Sequence, residues 1–533
     1  MCTSNEGLRA EGLSGGRLVE VAGPGRVRDG LRAVDSWLAG RASDAEQFMS
    51  DIHGDSEAFR HLVRSASGEV RALVEGVLEG VDDAEGAFDA TVVNAVCAAL
   101  YYPECFEGAI SGAFGGSADL FDLAAKVRAH CTGRFHLLGD IWDRGGHGDD
   151  VMDALMSCPS VDVQWGNHDV CWMGAAAGDP VCISTCLRNN IKYGNTDQFE
   201  IGYGIDLNPL REFAVRTYGA EDGMSPLMKA ISALLFKCEG QAILRHPEWH
   251  MEDRLLWGRI DLGREGEASV DLGGTRHPLK TADFPTFDPG DPYALSAGEA
   301  EVMTALVDVF RGSERLQRQV GWLYDNGSVY KVAGDFLLFH GCVPLEADGS
   351  FAAVNCGGVS LKGKALLDWV DGLCRRAWGE RDQWALDWMG YLWCGWQSTF
   401  AGRVVKTFER TYIEDKSTWV EPQDPYYALT KGDPAPCEAI LAEFGIDGEK
   451  GVIVNGHTPV KLPKGELPVR GGGRRLVIDG GMCPAYRKTT GIAGYTLVRN
   501  GDRLSLVAHG EFPGMDAVLA EGADSSHEVE VIR

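Results

Sequence analysis

Five short segments place metal-ligating side chains directly after apolar runs. Asp51 and His53 follow Phe48–Met49, and Asp140 and Asp143 lie in GDIWDRG at 139–145. Asn167 and His168 are neighbours in GNHD at 166–169, His340 stands in HG at 340–341, and His457 in GHTP at 456–459. Two residues apart at a turn, Asp51 and His53 can aim at one point. Together the segments offer carboxylate, imidazole and amide donors, a mixture that suits Mn, Fe, Zn or Co better than Ca, which takes oxygen alone. A carboxylate shared between two such ions would hold them roughly 4 Å apart, with one water polarised by both. Each segment alone is ordinary, since Asp-x-His is common loop polarity and a single His340 or His457 reads as a core or turn histidine. Five in one chain, each after an apolar run, point to a built site.

The runs that must position these loops read as strands: Phe135–Leu138, Val161–Trp165, Phe336–Phe339, Val452–Val454 and Leu476–Ile478. Tyr495–Val498 and Leu504–Val507 form a hairpin through Asn500-Gly501-Asp502. Helical spacing links Phe59, Leu62 and Val63, continues through Val70, Leu73, Val74, Val77 and Leu78, and recurs in Met228–Phe236 and Ala300–Phe310. The fold class is therefore α/β, with chemistry expected at the carboxyl ends of strands. Residues 1–44 read as a loosely packed lead-in with a short helix at Leu31–Leu38. Residues 45–510 read as one catalytic domain with helical insertions at about 79–129 and 171–334, and 511–533 as a tail.

Composition narrows the class. The 533 residues hold 50 Lys plus Arg against 78 Asp plus Glu, a net charge of −28, with 44% hydrophobic and 24% charged residues. That is a globular chain without the clustered cations that grip a nucleic-acid backbone. No apolar run reaches the roughly 18 residues of a membrane span, and Glu6 and Glu11 occupy the place of a leader's apolar stretch. The expected compartment is the cytoplasm, with neither nucleic acid nor membrane as partner. A homo-oligomer is compatible with the sequence. The 15 Cys, scattered without a CxxC pair, read as reduced thiols.

The five segments, in this order, resemble the signature of the calcineurin-like metallophosphoesterases. RNNIKYGNTD at 188–197, KCEGQAILRHPEW at 237–249, YLWCG at 391–395, KTFERTYIEDK at 406–416 and DGGMCPAYRKTTGIAGYTLV at 479–498 are similar to the bacterial class 3 fructose-1,6-bisphosphatases. The resemblance implies a four-layer α/β/β/α sandwich and a two-metal phosphomonoesterase releasing fructose 6-phosphate from fructose 1,6-bisphosphate in gluconeogenesis, with a small phosphorylated sugar as its partner. It implies that Asp51, His53 and Asp140 hold one ion, most readily Mn, while Asp140 bridges to a second held by Asn167, His340 and His457. His168, hydrogen-bonded to Asp143, would stand near the leaving oxygen, and Arg144 would hold phosphate.

The chemistry of a phosphate monoester agrees. A sugar alkoxide leaves poorly without a proton, which an imidazole held by a carboxylate is suited to give, and the phosphoryl oxygens want the five-donor fork of arginine. A second phosphate needs its own cations. Arg188, Lys192, Tyr193 and Asn195 form one candidate group, and Arg487 and Lys488 another. Gly358–Ala365 nearly spells a nucleotide loop, but Ala365 lacks the hydroxyl that Mg would need. Cys342 and Cys483 flank the expected site and read as small buried thiols, while Trp142, Trp165, Trp172 and Trp396 read as packing around it.

Overall fold

The computed structural model describes residues 15–41, 43–83, 85–114, 117–219, 223–263 and 267–532, for 111–114 and 117–119 the backbone alone. The protein is mixed α/β, built on two sheets. In the seven-stranded sheet the order is His527–Val531, Arg503–His509, Tyr495–Asn500, Glu46–Met49, Arg134–Leu137, Val161–Gln164 and Gly327–Ser328. The last four run parallel, with Met49 opposite Leu137 and Leu137 opposite Val163, so three of them end at one level. The five-stranded sheet runs Tyr330–Ala333, Phe336–Phe339, Val452–Asn455, Arg475–Val477 and Val469–Arg470. Its three central strands are also parallel, with Leu338 opposite Val454 and Asn455 opposite Val477.

Side-chain alternation explains why these strands read as unbroken apolar runs. Phe48, Leu497 and Leu504 from one sheet meet Phe336, Leu338, Val454 and Leu476 from the other in a shared core. The alternate residues Met49, Leu137, Leu337, Phe339 and Ile453 point outward into the larger core under the helices. Both faces are thus covered, and a strand buried on two sides has no polar positions to spare. Truncating a fully buried residue such as Leu338 to Ala would cost about 2–5 kcal/mol.

A third core stands apart. It joins Leu18, Val27, Leu31 and Val34 to Val70, Val74, Val96, Leu100, Phe106, Leu123 and Val127, and also to Val518 and Leu519. The expected loose lead-in is instead two helices, Gly16–Ala22 and Pro24–Leu38, which bury Leu18, Val19, Val27, Leu31, Val34 and Leu38. The expected tail likewise supplies the helix Met515–Glu521 and the edge strand His527–Val531. Within 171–334, helices such as Pro180–Tyr193 and Pro226–Arg245 carry most of the chain. That section also holds a three-stranded sheet, Ile260–Leu262, Ala268–Leu272 and Thr275–Pro278, which helical periodicity elsewhere in it obscured. Among the described residues, no helix is long and apolar enough to cross a membrane.

Candidate active site

Because the parallel strands of each sheet end level, their loops lie side by side. Gly54 donates its backbone N–H to Ile141, and His53 to Asp140. Asp51, His53, Asp140, Asp143, Arg144 and His457 all adopt positive φ, six of the ten such non-glycine residues described. Strain on that scale is kept only where the surroundings over-determine it, typically at a functional site. The motif glycines have a steric reason: a Cβ on Gly166 would collide with the Asp140 carboxylate, and one on Gly456 with Ser50 and Asp51.

Asp169, the last residue of GNHD, accepts the backbone N–H groups of Gly166, Asp140 and Ile141 at 2.8 Å each. It thereby ties one strand-end loop to another and starts the helix Asn167–Ala177, placing Asn167 and His168 in the first turn. Burial and the nearby Asp140 push its carboxyl up to about 7.

The six expected ligands converge. His53 Nε2 lies 3.8 Å from both Asp51 Oδ1 and Asp140 Oδ2, too far for hydrogen bonds. His340 Nε2 is 3.3 Å from Asp140 Oδ2 and 3.2 Å from Asn167 Oδ1, which also lies 2.9 Å from His457 Nδ1. His53 donates Nδ1–H to the Trp142 carbonyl at 3.0 Å and His340 donates to Leu138 at 2.6 Å, so both turn Nε2 into the cluster. A metal-ligating histidine is commonly anchored in this way. The donor atoms of Asp140, His340 and His457 lie within 4.8 Å of one another, as do those of His53, Asp140 and His168.

The electrostatics fit bound cations. Burial and Asp140 push Asp51 up to about 6, and burial and Asp51 push Asp479 well above the usual carboxylate range. Burial opposes charge on His340, but Asp140 outweighs it and the pKa rises to about 10. His53 is driven down to about 3, chiefly by burial. His457 Nε2 and Asp479 Oδ2 are buried without hydrogen-bond partners. Buried carboxylates and orphaned donors of this kind are what divalent ions would satisfy.

His168 and Asp143 form a buried pair, with Nδ1 2.6 Å from Oδ2. Asp143 also accepts from Trp172 Nε1 at 2.9 Å, Asn190 at 2.7 Å and Asn189 at 3.2 Å. The carboxyl is buried, which alone would raise its pKa, yet His168 above all, with Trp172 and Asn189, holds it below the usual range. The His168 ring meets His53 and Trp393 edge-on, with centroids 5.0 and 4.9 Å apart.

Arg144 lies over the Tyr486 ring, 4.7 Å from its centroid, and donates to Tyr193 Oη at 2.9 Å. Asn195 Nδ2 holds the Arg144 carbonyl at 2.9 Å. In the second candidate group Arg487 pairs with Asp55 at 2.9 Å and Glu511 at 2.7 Å, and Lys488 is exposed. Trp142, Trp165 and Trp172 are fully buried, but Trp396 is 42% exposed and packs no site. Cys342 and Cys483 are buried and their thiols pushed up. At Gly363–Glu380, Glu443 already accepts the Lys364 N–H, and Lys364 pairs with Asp368 at 2.7 Å.

Three site residues escaped the sequence reading. Asp479 follows the strand Arg475–Val477 just as the other ligands follow theirs, and Asp-Gly-Gly after an apolar run was the available signal. The Tyr486 ring lies tilted beside His53, with centroids 5.5 Å apart. Arg403 acts on His457 and has a buried Nε without a partner; nothing local in the sequence marks it.

A mixed carboxylate–imidazole cluster at the level ends of parallel strands, beside a histidine–aspartate pair, is the construction of a metal-dependent phosphatase. The chain belongs to the Firmicute fructose-1,6-bisphosphatase family, whose profile matches residues 40–111 and 116–533. The class 3 fructose-1,6-bisphosphatase of Clostridium tetani is 35% identical over 568 aligned residues, covering 90% of this chain and 85% of that one. Those of Clostridium beijerinckii and Clostridioides difficile are 42% and 41% identical over 427 residues, covering 75% of this chain and 64% of theirs. No solved structure matches the chain.

Proposed function

We propose that this protein hydrolyses the 1-phosphate of fructose 1,6-bisphosphate, taking up water and releasing fructose 6-phosphate and inorganic phosphate, as a cytoplasmic enzyme of gluconeogenesis. The observation that carries the reading is the His168–Asp143 pair beside the six-donor cluster, in a chain of this family. Residues 45–510 form the catalytic domain, and two packed sheets with helices on their outer faces support a calcineurin-like α/β/β/α sandwich.

Asp51, His53 and Asp140 would hold one divalent ion, and Asp140, Asn167, His340 and His457 a second; mixed oxygen and nitrogen donors suit Mn, Fe, Zn or Co, of which the family resemblance favours Mn. When bound, the ions supply positive charge to the phosphoryl oxygens and acidify water. The chain's own residues do the rest. Arg144, anchored by Tyr193 and Tyr486, directs its guanidinium at the phosphate oxygens. Asp143 fixes His168 through Nδ1, so Nε2 is the end that faces substrate. As a water oxygen bonds to phosphorus and the P–O bond to the C1 oxygen breaks, that bond's electron pair stays on the C1 oxygen and His168 Nε2 gives it a proton. Trp393, packed on the His168 ring, keeps bulk water from the acid.

The test is to compare kcat/KM for fructose 1,6-bisphosphate, a phosphopeptide and a diadenosine polyphosphate. The sugar bisphosphate should be strongly preferred, and a preference for either alternative would overturn the assignment.

A further inference from the structure

Arg188 and Lys192 lie four residues apart on the helix Pro180–Tyr193, and therefore on one face of it. Arg188 is 8% exposed. Its one described hydrogen bond goes to the Thr411 hydroxyl, and its Nε is buried without a partner. Among the described residues, neither Arg188 nor Lys192 has a carboxylate within 4.0 Å, in a chain with 78 Asp plus Glu. Glu239 is the acid that acts on Arg188 from farther away, and burial pushes its own carboxyl up to about 7, which makes it a poor counter-ion. A buried guanidinium without an anion costs stability, and a second cation one turn away adds to that cost.

The cluster also adjoins the reaction centre. Lys192 Nζ lies 5.7 Å from the centroid of the Tyr193 ring, and the Arg144 guanidinium 5.9 Å from the same ring. Residues 189 and 190 of the same helix donate to Asp143, the partner of His168. Burial and the charges of Arg188, Arg144 and Arg410 all lower the Lys192 pKa, so the four cations share one region. Arg410 is exposed and paired with Glu421 at 3.2 Å.

We infer that Arg188 and Lys192 form the cradle for the phosphate that is not cleaved, the 6-phosphate of fructose 1,6-bisphosphate, with Arg410 at its rim. This rests on the function proposed above and narrows it to a specificity site. A phosphate dianion supplies the missing counter-charge. The same chemistry would suit a separate phosphorylated ligand, but such a ligand would not distinguish substrates by their second phosphate.

The experiment measures kcat/KM for fructose 1,6-bisphosphate and for p-nitrophenyl phosphate, which has no second phosphate, in the metal-loaded enzyme. The ratio between the two should fall about tenfold or more in Lys192→Gln, an exposed position where folding is not at stake. In Arg188→Gln it should fall further, with partial recovery in Arg188→Lys. A ratio within threefold of the parent's in Lys192→Gln would overturn the inference, as would a fall in Lys488→Gln with none in Lys192→Gln. The function itself stands or falls separately, on whether the parent prefers the bisphosphate at all.

Discussion

Replacing His168 with alanine separates an acid from a ligand. The ring is tied to the site by the 2.6 Å bond to Asp143 and by edge contacts to His53 and Trp393. Asp143 would keep Trp172, Asn189 and Asn190 as donors, so its carboxylate is not left bare and the fold should lose only about 1–3 kcal/mol. Removing a general acid lowers kcat by roughly 10²–10⁴, or about 2.7–5.4 kcal/mol of barrier at 1.36 per tenfold. With p-nitrophenyl phosphate, whose oxygen departs unprotonated, the loss should shrink to about tenfold or less. His457→Ala should lose activity on both substrates together, because it removes a donor that meets Asn167. The assay follows phosphate and p-nitrophenolate release, with metal content determined by elemental analysis of the same samples. An equal loss on both substrates in His168→Ala, or a missing ion, would refute the acid role and make His168 a ligand alongside His53 and Asp140.

Active enzyme should carry close to two divalent ions per chain, and Asp140→Asn should lose both binding and turnover, because Asp140 belongs to both donor groups; elemental analysis showing one ion or none in fully active parent enzyme would contradict this. Asp524→Ala should unfold at a distinctly lower temperature, because His61, Arg71 and Tyr101 would lose an acceptor held at 2.8, 3.2 and 3.0 Å; breaking a buried pair of this kind costs about 3–5 kcal/mol. Despite burial, its partners hold the Asp524 carboxyl well below the usual range, so its contribution is whole above about pH 4 and fades on acidification. The Tm gap between parent and variant should therefore narrow as the pH drops toward strongly acidic values, and a gap that widened instead would refute the linkage.

Much of the site was legible because its geometry is local: a strand followed within three residues by Asp, Asn or His, repeated at level strand ends. Asp51, Asp140, Asn167, His340 and His457 all obey that grammar, and so does Asp479 in Asp-Gly-Gly after Leu476–Ile478. Arg403 and Tyr486 obey no local rule; they reach the site from segments far along the chain. The Arg487–Lys488 group looked as cationic as Arg188–Lys192, and only the carboxylates of Asp55 and Glu511 set it apart. At the C-terminal side, His527–Val531 alternates Glu with Val on an exposed edge, which in a sequence looks like polar tail. Residues 15–38 were obscured by glycine and arginine, although Val27, Leu31 and Val34 keep helical spacing.

The third core has a consequence for how the protein is made. Its helices through residue 131 are synthesised early, but Val518 and Leu519, which close over them, emerge only after nearly the whole of the remaining chain. At about 5–20 residues per second, that interval lasts on the order of 20–80 s. Throughout it, Val96, Leu100 and their neighbours lack part of their apolar cover, while Asp524 has yet to reach His61 and Arg71. The nascent chain therefore passes through a stage in which its first lobe is formed but unsealed, and chaperone binding and proteolysis of translating complexes should concentrate on that lobe.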